Sequence, residues 1–445
     1  MPSFLILTLG CKLNQLESEA ITDAFLRTGF KQAEKAPDVV VVNTCTVTSK
    51  ADQKARRVIR KALRDYPKSR VIVTGCYAQL NGEDLLNLDD GRKKRLFVIK
   101  KDSIIDLPYY FKENEKIDNV LEEFAQRREA AADRFQFNPQ SFSDHTRSFL
   151  KIQDGCGNHC TYCRIRLARG ASISLDADEA LSRLRILEKN HAEAVLTGVN
   201  ISQYRDKNIN LAKLLEYLLT GTEKIALRLS SLAPETIDEE LIGVLAGKRI
   251  RPHFHLSIQS CSKKILEKMG RSYDGKTIED AVSLLRRAKG DPFLACDIIT
   301  GFPGETEAEF NETFETCKKL DLAWIHVFPY SKRPGTPAFA FKEQVQESEV
   351  TRRVNLLTEL AQQGRAAYTR RCLGKEVEVL AEKGSGKTCR GITENYLKTL
   401  IIYEGKPPSP GTVLRCKLEE ANAENQNDYD AIAVFGGKGI RIPDF

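Results

Sequence analysis

The spacing of three cysteines, Cys156, Cys160 and Cys163, constrains this chain more than any other feature. They stand as C-x3-C-x2-C within Gly155-Cys156-Gly157-Asn158-His159-Cys160-Thr161-Tyr162-Cys163. The run places three thiolates in one short loop, whereas a structural zinc site or an ordinary ferredoxin cluster needs four protein ligands. Three thiolates hold three irons of a [4Fe–4S] cube and leave the fourth iron open to a substrate or cofactor. A zinc loop, or three unrelated thiols, is the alternative.

The loop, with Tyr162 directly before its last cysteine, resembles that of the radical S-adenosylmethionine (SAM) enzymes. The resemblance implies that the open iron chelates the amino and carboxylate groups of SAM. It also implies that an electron from the cluster splits SAM to a 5′-deoxyadenosyl radical, so Cys156, Cys160 and Cys163 are the catalytic ligands.

A chain of 445 residues has room for two to three domains with sizeable cores. It holds no stretch of about eighteen apolar residues, so no membrane-spanning helix and no membrane partner are expected. Met1-Pro2-Ser3-Phe4-Leu5-Ile6-Leu7 lacks a basic flank and a small-residue cleavage site, and reads as a first strand. Twelve cysteines are too sparse here for a secreted disulfide scaffold. Their grouping suits metal ligation in a reducing cytoplasm, the expected location. The net charge of +7 permits a polyanionic partner without demanding one.

The expected fold class is α/β, in four regions. Residues 1–112 alternate short apolar runs (Phe4–Thr8, Val39–Val42, Val71–Thr74, Leu96–Ile99) with helical periodicity, which argues for a helix-covered parallel sheet. Residues 113–145 are charged and Ala-rich, then polar, and read as a helical linker. Residues 146–370 hold six strand candidates: Ser148–Ile152, Ala194–Thr197, Ala226–Ser230, His253–Ile258, Phe293–Ile299 and Trp324–Phe328. Helical patterns between them suggest a partial (β/α)6 barrel. Residues 371–445 show short strands and frequent turns, as in a small antiparallel β-barrel.

Cys11, Cys45 and Cys76 lie far apart, yet each follows the end of a predicted strand. Ligand crevices in open parallel sheets lie at the carboxyl ends of the strands, so the three thiols can converge. Gly10 and Gly75 let the backbone approach a ligand closely. A second cluster with an open iron is one reading; three small buried residues at strand ends is the other.

The surrounding strings resemble the methylthiotransferase family: Thr8-Leu9-Gly10-Cys11-Lys12-Leu13-Asn14-Gln15, Asn43-Thr44-Cys45-Thr46-Val47 and Gly75-Cys76-Tyr77-Ala78-Gln79. Asp297-Ile298-Ile299-Thr300-Gly301-Phe302-Pro303-Gly304 and Phe328-Pro329-Tyr330-Ser331 agree, and the match covers nearly the whole chain. The resemblance implies an N-terminal cluster domain, a radical SAM barrel and a C-terminal TRAM barrel. It implies two [4Fe–4S] clusters, held by the two cysteine sets, and SAM as both radical source and methyl donor. The N-terminal cluster would carry the sulfur to be transferred. The strings at Thr8–Gln15 and His326–Ser331 look most like the branch that methylthiolates C2 of N6-threonylcarbamoyladenosine at tRNA position 37. The alternatives are isopentenyladenosine 37 of tRNA, or an aspartate of ribosomal protein S12. The implied partners are tRNA and an electron donor that the sequence does not identify.

Two positions depart from the family pattern. Arg166 stands where a proline is usual, and Cys261 where a glycine is usual, a strained choice if that backbone needs positive φ. Gly198, Ser231, Gln259 and Gly301 lie near strand ends and, with Tyr162, are candidates for the cofactor site; fold-keeping turn residues are the alternative. Arg56, Arg57, Arg60 and Lys61 follow Cys45 on a predicted helix and are candidates for phosphate contacts, or else a solvated face.

Overall fold

Val39, Val40, Val41 and Val42 are all fully buried. A strand apolar on both faces requires a layer on each side. Val39 and Val41 pack with Phe4, Ile21, Phe25 and Ile72 under helix Lys12–Arg27. Val40 and Val42 face the other way, onto Ala55, Ile59, Val71 and Val73 under helix Ser49–Asp65. Each buried valine contributes roughly 1.5–3 kcal/mol, so the alternation fixes the strand between two layers. The sheet runs Lys31–Gln32, Ser3–Thr8, Val39–Thr44, Arg70–Gly75, Leu96–Val98, with every pair parallel.

The computed structural model describes residues 2–89, 94–111, 116–127, 133–139, 146–422, 429–435 and 439–440. Of the expected linker, Ile117–Gln126 is a helix whose Val120, Leu121 and Phe124 join the core of the N-terminal sheet. Residues 113–115, 128–132 and 140–145 of that linker lie outside the described residues.

The central strands are Ser148–Lys151, Glu193–Thr197, Ala226–Leu229, His253–Gln259, Phe293–Thr300 and Trp324–Pro329. The first three form one parallel sheet and the last three another. Single parallel bridges, Leu227 to Ile250 and Leu232 to Leu256, join the halves into a curved partial barrel. Helices lie between the strands, and helix Glu347–Cys372 follows the last one. Among the described residues no ladder pairs the first strand with the sixth, so the barrel stays open there. Beside that opening Leu13 and Leu16 of the N-terminal domain pack on Phe149 and Val195.

The last domain closes as a ring of five strands: Glu376–Ser385, Thr388–Thr393, Lys398–Tyr403, Ala431–Phe435 and Val413–Ala421, which pairs back with the first. The expected all-antiparallel barrel needs correction at one place, because Lys398–Tyr403 and Ala431–Phe435 pair parallel, Thr399 opposite Ala431. A closed ring with an odd number of strands cannot alternate direction throughout, so one parallel pair is forced. This barrel packs on the starts of central strands through Phe293 and Ala323, and on helix Glu347–Cys372 through Tyr368. Arg251 adds a charged tie, reaching Glu193 at 2.9 Å and Glu378 at 2.7 Å. No helix among the described residues is long and apolar enough to cross a membrane.

Candidate active site

Three parallel strands, Ser3–Thr8, Val39–Thr44 and Arg70–Gly75, end at the same edge of their sheet. Cys11, Cys45 and Cys76 follow those ends within three residues. Gly10 has φ +116°, and a Cβ there would lie 2.7 Å from Cys45 Cβ. Gly75 has φ +91°, and a Cβ there would collide with the Thr44 carbonyl. Both turns therefore need glycine to bring the strand ends together. Asn14 staples two of them: its Nδ2 donates to the Thr44 carbonyl at 3.0 Å, and its Oδ1 accepts from Cys11 Sγ at 3.5 Å. The Thr44 hydroxyl donates to the Thr74 carbonyl and accepts from the Ala78 amide, joining the third. Cys11 is exposed, whereas Cys45 and Cys76 are buried.

The second cysteine set lies on the loop after the first barrel strand. The Cys156 amide donates to the Gly170 carbonyl at 3.1 Å, closing the loop. Thr161 pins the loop to the far side of the barrel: its amide donates to Met269 and its hydroxyl to Lys268. Tyr162 is packed beside Phe302 and accepts a bond from Arg271 at 3.0 Å. Arg166, in place of the family's proline, donates to the Gly157 carbonyl at 2.9 Å and so ties the loop across itself.

Both sets meet one cavity of about 370 Å³. Its walls include Cys11, Cys45, Cys76, Tyr162 and Cys163, together with Gly198, Ser231 and Gln259. Cys156 and Cys160 stand next to Cys163 in the loop but outside that wall. Gly301 is not in the wall either; with φ +77° it packs against Val350 while its amide donates to Glu305 at 2.6 Å. Gln259, not Cys261, carries the positive φ of its turn, +66°, so Cys261 is unstrained. Cys261 is buried, and its amide donates to the Thr313 hydroxyl. Of the basic residues on helix Ser49–Asp65, Arg57, Arg60 and Lys61 are exposed, while Arg56 turns inward onto the Tyr77 hydroxyl.

The donor chemistry fits iron–sulfur clusters at both places. Burial pushes the thiols of Cys45 and Cys163 up to about 11 and raises those of Cys76 and Cys160. Such thiols stay protonated until a metal compensates the buried charge. Among the described residues no three His, Cys, Asp or Glu side chains are close enough to chelate one single ion. A cubane asks something different, one thiolate for each of three irons.

A charged network beneath the cavity had no signal in cysteine spacing. Glu17, Lys101, Lys151, Asp154 and Arg169 are all buried. Arg169 grips Glu17 with both terminal nitrogens, at 2.9 and 3.1 Å, and reaches Asp154 at 3.1 Å. Burial alone would raise Asp154; Arg169, Lys101 and Lys151 outweigh it and hold the carboxyl well below its usual range. The available hint was charge where burial is expected: Glu17 on a helix facing a sheet, and Lys151 within a strand. Farther up, the Ser231 hydroxyl lies 2.8 Å from His255 Nδ1, and His255 Nε2 lies 3.2 Å from Asp297. Burial and the neighbouring His255 hold His326 down to about 4.

Residues 150–317 match the radical SAM superfamily, and residues 3–94 match the uncharacterized protein family UPF0004. Among solved structures, the radical SAM methyltransferase TsrM from Kitasatospora setae has a TM-score of 0.52 at 16% identity, over 76% of this chain and 77% of that one. That likeness speaks to the fold alone. A radical SAM fold joined to a second cysteine-bearing sheet domain defines the class. Among curated relatives, the threonylcarbamoyladenosine tRNA methylthiotransferase MtaB of Treponema pallidum (strain Nichols) is 39% identical, over 95% of this chain and 99% of that protein. The tRNA-2-methylthio-N(6)-dimethylallyladenosine synthase of Endomicrobium trichonymphae is 29% identical, over 94% and 97%. The chain belongs to the radical SAM methylthiotransferase family.

Proposed function

We propose that this protein methylthiolates C2 of N6-threonylcarbamoyladenosine at tRNA position 37, with two [4Fe–4S] clusters and SAM. One observation carries the reading: the three strand-end cysteines and Cys163, the last of the loop triad, line a single 370 Å³ cavity. Inserting sulfur at an unactivated carbon is beyond acid–base side chains and requires cofactor radical chemistry. Cys156, Cys160 and Cys163 would hold one cluster, which would supply the electron for SAM cleavage, and Cys11, Cys45 and Cys76 would hold the other, which would supply the sulfur. Gly198, Ser231 and Gln259 would bound the site for SAM, and Tyr162, packed beside Phe302 in the same wall, would exclude water from it. Gly301 acts by shaping the turn next to that wall.

The functional division follows residues 1–112 as cluster domain, 113–145 as linker, 146–370 as radical SAM domain and 371–445 as TRAM-like domain. Arg57, Arg60 and Lys61, exposed on the helix after Cys45, suit phosphates of the anticodon arm, and Arg56 supports Tyr77. The protein works in the cytoplasm, with reducing equivalents from a separate donor. The threonylcarbamoyl substrate is favoured over isopentenyladenosine by the 39% against 29% identity of the relatives so named. Mass spectrometry of tRNA nucleosides from a strain lacking the gene tests this. Loss of 2-methylthio-N6-threonylcarbamoyladenosine, restored by the intact gene and not by Cys156→Ala, is expected. An unchanged level, with no other such enzyme present, would contradict it.

A further inference from the structure

Arg169 has a third nitrogen beyond the two terminal ones that grip Glu17. Its Nε donates to Cys76 Sγ at 3.1 Å. The guanidinium is held by three partners, Glu17 of the N-terminal domain, Asp154 of the barrel and Cys76, and the residue's backbone carbonyl accepts from Arg134 at 2.6 Å. Lys101 reaches Glu17 at 2.8 Å and Asp154 at 3.2 Å, and Lys151 pairs with Asp154. The count is three cations (Lys101, Lys151, Arg169) against two carboxylates (Glu17, Asp154), all buried. Burying an uncompensated charge is expensive. One more anion balances the set, and the atom facing the surplus is Cys76 Sγ. A packing cysteine gives no reason for that surplus; a ligating thiolate does.

Position along the chain adds a second argument. Asp154 and Arg169 bracket the loop of Cys156, Cys160 and Cys163 on both sides, while Glu17 and Lys101 belong to the domain of Cys76. One guanidinium therefore fixes the loop of one cysteine set against a ligand of the other.

We propose that Arg169 is a positioning residue that donates a hydrogen bond to the Cys76 thiolate, raises the reduction potential of the cluster held there, and locks that cluster in register with the radical SAM loop. The proposal rests on the reading of Cys11, Cys45 and Cys76 as cluster ligands. Hydrogen bonds to ligand sulfur and nearby positive charge stabilise the more negative, reduced cluster, so they move its potential upward.

The test uses the full chain carrying Cys156→Ala, Cys160→Ala and Cys163→Ala, reconstituted anaerobically with iron and sulfide, so that the strand-end site alone is read. Iron content and the midpoint potential, followed by EPR, are the readouts. Arg169→Gln is expected to shift the potential down, and Arg169→Lys to shift it less, because the charge stays while the Nε–H is lost. Glu17→Gln removes a negative charge from the same network and should shift the potential up. A merely structural salt bridge predicts no such opposition of sign. Lys276→Gln, exposed on helix Gly275–Lys289, should leave the potential unchanged. If Arg169→Gln does not fold, the Lys and Glu17 variants still decide the matter by their opposite shifts. Iron bound at an unmoved potential in the Arg169 variants overturns the proposal alone. No iron in the background with Arg169 intact overturns the ligand reading, and the proposal with it.

Discussion

The loop of Cys156, Cys160 and Cys163 and the set of Cys11, Cys45 and Cys76 each gather three thiols, by opposite routes. The loop is local: its ligands span eight residues and its backbone closes through the Cys156 amide and the Gly170 carbonyl. The other set depends on the fold. Its members come from three parallel strands, and only the sheet register and the glycine turns bring them together. A local site tolerates damage to distant packing. A site assembled from strand ends inherits every weakness of its sheet.

The largest effects should come from the ligands themselves. Reconstituted protein with two clusters carries about eight irons, and alanine at all three positions of either set should leave about four. If removing one set empties both, the two sites are not independent. Next comes packing: Ile72 is fully buried in the strand that leads to Cys76. Ile72→Ala should cost roughly 2–5 kcal/mol and release iron from the strand-end set first, as seen by chelator challenge on each triple-alanine background. Gly75→Ala acts on the same site: its Cβ would collide with the Thr44 backbone, adding to φ strain on the order of 1–3 kcal/mol, with selective loss of iron there. Equal loss at both sites would break the contrast.

The last prediction is a control away from both triads, with the smallest expected discrimination between the two iron sites. Burial would raise Glu193, but Arg228 and then Arg251 hold it down to about 2 from the ordinary 4.5. A depressed carboxyl stabilises the fold above its unfolded value and loses that contribution as pH falls through its folded value. The stability gap between wild type and Glu193→Gln, measured by denaturant titration, should therefore be full above about 4.5 and close as pH falls toward 2. Since Glu193 lies beneath the barrel, on the side of the C-terminal domain, its loss should not discriminate between the two iron sites.

The same contrast governs what the sequence disclosed. The loop cysteines are legible as a group because their spacing alone puts three thiols in one short loop. The convergence of the strand-end set is legible through short continuous apolar runs that stop just before each cysteine, and the six barrel strands fall within a residue or two of their expected bounds. What was hidden depends on partners distant in the chain. Arg169 is 93 residues from Cys76 and 152 from Glu17, and no local pattern couples them. The parallel pair that closes the C-terminal ring follows from strand count, which turn signals alone do not fix. The sequence does not reveal which residue of the turn at Cys261 is left-handed; it is Gln259, two positions earlier, so the condition for strain at Cys261 is not met.

The measurement that reaches the central claim most directly is a paired assay on Cys11→Ala/Cys45→Ala/Cys76→Ala, reconstituted and given SAM, a reductant and tRNA lacking the methylthio group. 5′-Deoxyadenosine and the methylthiolated nucleoside are quantified together. The account predicts that SAM is still cleaved to 5′-deoxyadenosine, within several fold of wild type, while no methylthiolated nucleoside forms. Continued formation of that nucleoside, or loss of SAM cleavage with the loop iron intact, would contradict a division of labour between the two cysteine sets.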